Sequence, residues 1–90
     1  MAKIKFTSAL KPFFPSLSDL ELEGATIRDV LNQIEKRYPG IGNYLTDETG
    51  SLRQHVNIFL QGDLIKDRDR LSDLVKSSDE LLIFQALSGG

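Results

Sequence analysis

The stretch DELLIFQAL, residues 79–87, places four large apolar side chains in succession near the end of a chain of 90 residues. A run of this kind predicts a buried β-strand. If this strand is central in the sheet, we expect it to run beside the first strand and parallel to it. Side chains alternate along a strand, so Phe84 falls out of phase with Leu81 and Ile83 if those two residues face the core.

Two alternating stretches near the amino end predict a β-hairpin. Ile4 and Phe6 of KIKFTSAL share one face of a first strand, and the leucines of SDLELEG share one face of a second. The two prolines of KPFFP, residues 11–15, predict a turn between the strands. We expect Phe13 and Phe14 of this turn to fold back onto the core.

The clearest single element is an amphipathic helix that follows the hairpin. Thr26 is the predicted N-cap, Asp29 lies in the first turn, and Pro39 and Gly40 end the helix. The apolar residues recur at three- and four-residue spacings, which predicts one buried stripe: Ile27, Val30, Leu31, Ile34 and Tyr38.

The second half of the chain predicts a loop, a long strand and a helical turn. In GIGNYLTDETGS we expect Ile41, Tyr44 and Leu45 to reach the core. LRQHVNIFLQG is expected to be the longest strand, ended by a tight turn at Gly62, with a short strand or turn in DLIKD. RLSDLV is expected to form a short helical turn that buries three apolar residues: Leu71, Leu74 and Val75.

This order of elements predicts an α+β fold, with a mixed sheet of four to five strands packed on one main helix. A chain of 90 residues makes one domain, which we expect over residues 1–90 with a flexible tail from about residue 86. Lys11, Pro12 and Pro15 interrupt any apolar run near the amino end. We therefore expect neither a signal peptide nor a membrane span there, and we expect a cytoplasmic protein.

The composition excludes several classes of function. The chain has no cysteine, which removes thiolate nucleophiles, disulfides and cysteine-based metal sites. Its net charge of −2, without a basic tract, argues against nucleic acid as a partner. His55 is the one histidine, and without neighbouring acids it makes a poor metal ligand or general base. No pattern of a catalytic site is present, so we expect a protein that is not itself an enzyme and that holds no stable cofactor or metal.

The chain ends on two glycines directly after the apolar strand. Glycine lacks a Cβ atom, so Gly89 and Gly90, preceded by the small Ser88, suit a slim tail that enters a partner's active site. Residues 86–90, if extended, reach roughly 16–18 Å. One interpretation of these glycines is a frayed tail, and the alternative is that the carboxylate of Gly90 is the working group of the molecule.

The whole chain resembles the MoaD/ThiS family of ubiquitin-like sulfur carriers, which have the β-grasp fold. The resemblance is most specific in RQHVNIFLQGDLIKD, LSDLVKSSDELLIF and the terminal LSGG. The HVNIF strand and the DETGSLR loop before it most resemble the CysO-like branch, whose carriers serve cysteine biosynthesis.

The resemblance implies that Gly90 is the reacting residue. A MoeB/ThiF-like adenylating enzyme, using MgATP, would convert its carboxylate to an acyl adenylate and then to a thiocarboxylate. A sulfur-acceptor enzyme would follow, together with a metallopeptidase if the product is cysteine. The catalytic groups would belong to these partners, and no membrane would be involved.

Phe59 and Phe84 are the candidate partner-binding surface. Both rings fall on the outward phase of their strands, and Arg53 and His55 are expected to rim them on the same strand face as Phe59. Exposed apolar patches often mark interfaces. In the alternative, the KPFFP loop covers both rings or each lies singly on the surface.

Several functions remain open from the sequence. The sulfur could go to cysteine, to molybdopterin, with this chain as the small subunit of the synthase, or to the thiazole of thiamine, which we rank last. The activated terminus could instead join a lysine of a target protein, as in ubiquitin. An interaction module with an accidental Gly-Gly end ranks third.

Overall fold

The computed structural model describes residues 1–85. Five strands are interrupted by two α-helices, and a 3₁₀ turn at Ser8–Leu10 follows the first strand. The strands are β1 (Ala2–Phe6), β2 (Leu20–Leu22), β3 (Val56–Leu60), β4 (Asp63–Leu64) and β5 (Glu80–Gln85), and the helices are α1 (Ile27–Arg37) and α2 (Gly42–Leu45). The predicted α+β class, with a mixed sheet and one main helix, is confirmed.

The last strand is the centre of the sheet and lies beside the first strand, as expected for a central last strand. The strand order is β2-β1-β5-β3-β4. β5 runs parallel to β1, with Ile4 opposite Leu81, and antiparallel to β3, with Ile58 opposite Ile83. The edge strands β2 and β4 are the shortest, at three and two residues, which limits the unpaired backbone that the sheet presents to other chains.

One core lies between α1 and the inner face of the sheet. The strands contribute every second residue, and α1 contributes its apolar stripe. The apolar residues that the sequence places on one face of each element therefore meet in one cluster. Its fully buried members include Ile4, Ile27, Val30, Ile34, Val56, Ile58, Leu81 and Ile83.

The start of α1 is held by its own cap and by a loop from elsewhere in the chain. Thr26 Oγ1 accepts the amide of Asp29 at 3.2 Å, and the Asp29 carboxylate accepts the amide of Ala25 at 3.1 Å. The carbonyls of Leu71 and Asp73 accept the amides of Arg28 and Ile27, the first two of the helix, at 2.9 and 3.0 Å. These contacts fix the 65–79 connection against the helix.

The segment after α1 is more ordered than the sequence predicts. Residues 42–45 form the short helix α2 rather than an open loop. Glu35 fixes the path of the chain from α1 to α2, because its two carboxylate oxygens accept the amides of Gly40 and Gly42 at 2.8 Å each. A Cβ atom at Gly42 would lie 2.8 Å from Glu35 Oε1, so a larger residue there would force the Glu35 carboxylate to shift.

The helical turn expected in RLSDLV is wrong. Leu71 adopts φ +59° and is fully buried, while Leu74 is 74% exposed and its backbone bridges to Thr26. The carbonyls of Leu71 and Asp73 accept amides of α1 rather than amides of a helical turn of their own. Phe13 was also expected in the core and is 60% exposed, whereas Phe14 packs against the core.

The cap of α1 gives a direct test of this part of the fold. Thr26→Ala removes the acceptor for the Asp29 amide and should lower the free energy of unfolding by about 1 kcal/mol in urea denaturation. Thr26→Ser keeps the hydroxyl and should stay close to wild type. Equal losses in the two variants would contradict the assigned role of the Thr26 oxygen.

Candidate functional site

The outer face of the sheet, opposite α1, carries a row of apolar side chains. Phe59 on β3 lies opposite Leu82 on β5 and also opposite Leu64 on β4, while Phe84 lies opposite Asn57. Directly opposed residues point to the same side of a sheet, so the four apolar residues share one face. Leu64 is 54% exposed and Phe84 39% exposed. We call Phe59, Leu64, Leu82 and Phe84 the sheet patch.

A shallow depression of about 350 Å³ lies within the sheet patch. Phe59 and Leu82 line it, with the charged Lys5 and Glu80 beside them. Gly62 forms part of its wall at a tight turn, with φ +86° after φ +51° at Gln61, the left-handed pair of a two-residue hairpin loop. The depression therefore offers apolar surface bordered by one charge of each sign.

The KPFFP turn does not cover the exposed ring of Phe84. Its two aromatic rings pack instead on Tyr44 of α2, with centroid separations of 5.1 Å for Phe13 and 5.4 Å for Phe14. The alternative in which this loop hides Phe84 is therefore wrong.

The expected rim of Arg53 and His55 needs a correction. Strand β3 begins at Val56, so neither residue lies on a strand beside Phe59. The amide of Val56 donates to the carbonyl of Arg53 at 3.0 Å, which closes a turn and breaks the alternation assumed from the sequence. The Nε atom of Arg53 donates to the carbonyl of Asn43 at 2.9 Å, toward α2.

His55 lies instead beside the last described residue. Its Nε2 atom is 3.3 Å from the amide nitrogen of the Gln85 side chain. The Gln85 backbone amide donates to Thr7 Oγ1 at 3.4 Å, and Gln85 lies opposite Val56 in the sheet. Within residues 1–85, Gln85 Oε1 is buried and has no hydrogen-bond partner. The end of β5 at Gln85 is thus flanked by Thr7, which follows β1, and by His55 in the turn before β3.

The tail residues proposed from the sequence, Ser88, Gly89 and Gly90, lie outside the described residues.

Arg68 lies near the sheet patch, a location that the sequence does not predict. Its guanidinium donates to Asn57 Oδ1 at 2.9 Å and to the carbonyl of Arg53 at 2.7 Å. Since Asn57 lies opposite Phe84, this contact brings a cation to the border of the sheet patch. The mixed charges of DRDRLSD resemble an ordinary solvated turn, and no local pattern reveals a contact with β3.

Asp67 organises the turn that carries Arg68. Its carboxylate accepts the amides of Asp69, Arg70 and Ser72 at 3.2, 2.9 and 3.3 Å, and also the hydroxyl of Ser72. The Ser72 hydroxyl bond is the largest cause that lowers the pKa of Asp67, followed by the Arg70 amide. The ionised form is therefore the one that holds the turn.

Comparison with known proteins shows the family to which this chain belongs. The model of the ThiS family matches residues 4–90. The chain belongs to the ThiS family. The resemblance expected from LSGG and the strands before it is thereby confirmed.

Relatives of this ThiS-family chain carry names of two kinds. The sulfur carrier protein CysO of Mycobacterium tuberculosis is 25% identical over 89 residues, which are 97% of this chain and 96% of that protein. The small archaeal modifier protein 3 of Haloferax volcanii is 28% identical over 68 residues, which are 76% of this chain and 73% of that protein.

Solved structures confirm the ubiquitin-like β-grasp fold. One is a chain in the crystal structure of the Amycolatopsis orientalis BexX/CysO complex, with a TM-score of 0.84 and 24% identity, covering 100% of both chains. The solution structure of the small archaeal modifier protein 1 from Methanosarcina acetivorans has a TM-score of 0.79 and 27% identity, covering 99% of this chain and 95% of that chain.

Two features are absent from the part of the chain that the structure describes. No group of three or more His, Cys, Asp or Glu side chains within residues 1–85 is arranged to hold a metal ion. Over the same range, no helix has the length and apolar content needed to cross a membrane.

The lowered pKa of Asp67 predicts how acid affects the turn that carries Arg68. The ionised carboxylate stabilises the folded state above about pH 4, and this contribution is lost as the pH falls through the lowered pKa. Asp67→Asn should therefore flatten the acid side of the pH–stability profile measured by thermal unfolding. The exposed Asp19→Asn serves as the matched control, and an equal flattening there would contradict the assignment.

Proposed function

We propose that this chain is a sulfur carrier whose terminal carboxylate, on Gly90, is converted to a thiocarboxylate that donates sulfur in a biosynthetic reaction. The observation that carries the proposal is membership of the ThiS family through residue 90, combined with a Gly-Gly end. The near full-length match to a sulfur carrier protein supports it. The chain acts as a protein co-substrate, and a chain without cysteine is compatible with the cytoplasm as its location.

The chemistry requires activation because a carboxylate is a poor electrophile. A carboxylate oxygen attacks the α-phosphorus of ATP, pyrophosphate leaves, and an acyl adenylate forms. A sulfur nucleophile then forms a bond to the acyl carbon of Gly90, and the acyl–oxygen bond breaks with release of AMP. The partner enzyme supplies the ATP and Mg²⁺ sites, and this chain supplies the carboxylate and the surface that places it.

We assign the sheet patch as the surface that docks on the adenylating enzyme. It combines exposed aromatic and aliphatic side chains on a rigid sheet, which is the composition of the central part of many interfaces. Phe84 contributes to it from the strand that leads into the tail. Docking on this face therefore fixes where the tail starts relative to the partner.

Cysteine formation is the destination we favour for the sulfur. The relative named CysO covers almost the full length of this chain, including the loop between α1 and β3. In this version, the later partners are a sulfur-acceptor enzyme and a metallopeptidase that releases the new cysteine. The molybdopterin pathway, with the chain as the small subunit of the synthase, is the other destination.

A protein modifier is the second candidate function. The small archaeal modifier protein 3, at 28% identity, favours it by name. In this case the activated Gly90 carbonyl would be attacked by a lysine amine of a target protein, and an isopeptide bond would form with loss of AMP. Both functions share the adenylation step and differ in the nucleophile that follows it.

The first prediction for this function concerns the mass of the chain. Incubation with a MoeB/ThiF-like adenylating enzyme, MgATP and sulfide should replace one oxygen by sulfur in the intact mass spectrum. Deletion of Gly90 should abolish the change. Conjugates with target lysines, without a thiocarboxylate, would support the modifier function, and no change with a competent enzyme would contradict both.

A second prediction concerns the sheet patch. Phe84→Ser and Phe59→Ala should each raise the KM for the carrier about tenfold in the adenylation reaction, since aromatic residues at the centre of interfaces contribute 1–2 kcal/mol or more. Phe13→Ala is the matched control, because Phe13 is an exposed aromatic residue packed on Tyr44. If all three variants behave as wild type, the sheet patch is not the docking surface.

A third prediction concerns the slim tail. Gly89→Val adds a β-branched side chain and should block entry to a narrow active site, which lowers the rate of adenylation while the affinity for the enzyme stays near that of wild type. Adenylation at the wild-type rate would contradict the role given to the glycines.

A further inference from the structure

Arg68 brings a cation to the border of the sheet patch. The residue is half-buried in the connection between β4 and β5, and its side chain reaches the first residues of β3. The guanidinium binds Asn57 Oδ1 at 2.9 Å and the Arg53 carbonyl at 2.7 Å. Asn57 and Phe84 are opposed in the sheet, so the cation lies next to the aromatic end of the sheet patch.

Both oxygens that bind Arg68 are neutral. A guanidinium has five N–H donors in a planar fork, and these two bonds use two of them. The two contacts fix the orientation of the fork and leave its positive charge without compensation from either acceptor. A side chain fixed in this way loses little rotamer entropy when an anion binds.

Of the three carboxylates in the turn around Arg68, those of Asp67 and Asp73 are engaged with backbone amides, and that of Asp69 is exposed. Asp67 binds the amides of Asp69, Arg70 and Ser72, as described above. Asp73 accepts the amides of Lys66 and Asp67 at 2.9 and 2.8 Å. The turn thus uses two of its acids to hold its own backbone while it presents an arginine at the face of the sheet.

We propose that Arg68 receives a carboxylate side chain of the adenylating enzyme, alongside the apolar contact made by Phe84. The inference rests on the proposed function and adds to it the chemistry of the partner: an apolar side chain bordered by an Asp or Glu. A guanidinium and a carboxylate form two parallel hydrogen bonds, which give both orientation and affinity. At the border of an apolar patch this pair sets the register of docking and accelerates encounter.

A purely structural role of Arg68 and a role in docking lead to different expected results. If the side chain only supports the turn at Arg53, its loss lowers stability and leaves the affinity of the folded protein for its partner unchanged. If it receives a carboxylate, its loss weakens binding by the folded protein and reduces the dependence of binding on salt.

The test measures adenylation kinetics with an enzyme that forms the thiocarboxylate on the wild-type chain. Arg68→Gln keeps a donor for Asn57 and removes the charge, and Arg68→Glu reverses the charge. Lys76→Glu is the matched control, because Lys76 is exposed and lies against a different part of the surface, near Met1 and Gly24. All assays are made well below the melting temperature of each variant, at low and at physiological ionic strength.

The proposal predicts that Arg68→Gln raises the KM for the carrier about tenfold, the loss expected for one charge-assisted contact, with a larger rise for Arg68→Glu. The KM for ATP and kcat should not change, and the difference between the two ionic strengths should shrink. Lys76→Glu should behave as wild type.

Three results would overturn the proposal while the carrier function stands. In the first, the Arg68 variants match Lys76→Glu. In the second, they are less stable but keep the wild-type KM when folded. In the third, the KM for ATP rises in place of the KM for the carrier, which would assign Arg68 to a phosphate. Failure of the wild-type chain to form a thiocarboxylate with a competent enzyme would instead reject the carrier function itself.

Discussion

The pairing of β5 on both of its edges is the constraint on which the rest of the structure depends. Parallel pairing with β1 and antiparallel pairing with β3 leave the strand no freedom to slip by one residue without moving its whole buried set to the other face. Leu81 and Ile83 therefore face α1, and Leu82 and Phe84 face outward. One short strand supplies both the centre of the core and the centre of the proposed docking surface.

This arrangement joins recognition to chemistry through the backbone. Phe84 lies on the sheet patch, Gln85 is the last described residue, and Gly90 is five residues further along the chain. Five residues reach at most roughly 16–18 Å, so in the proposed complex the partner's active site must lie within that distance of Gln85. In the proposed function this chain needs no catalytic group of its own, because it contributes the carboxylate and the partner contributes the catalysis.

The sequence predicts the parts of this structure that depend on periodic patterns, and it misses contacts between segments that are distant along the chain. The α1 stripe, the Thr26 cap and the outward phase of Phe84 follow from local spacing and are confirmed. The length of β3, the exposure of Leu74 and the location of Arg68 were not predicted. Each depends on hydrogen bonds from the 65–79 connection to α1 or to the turn before β3, which leave no local signature. The roles of the tail and of the sheet patch stay predictions, and the family supplies their chemistry.

We propose that the two faces of the sheet have different roles: the inner face packs against α1 in the core, and the outer face binds the adenylating enzyme. Methyl NMR of the labelled chain, titrated with the adenylating enzyme, tests this most directly. The methyl signals of Leu64 and Leu82 are expected to shift or broaden, while those of Ile34 and Leu31 on α1 keep their positions. Perturbations centred on α1, with Leu64 and Leu82 unchanged, would contradict it.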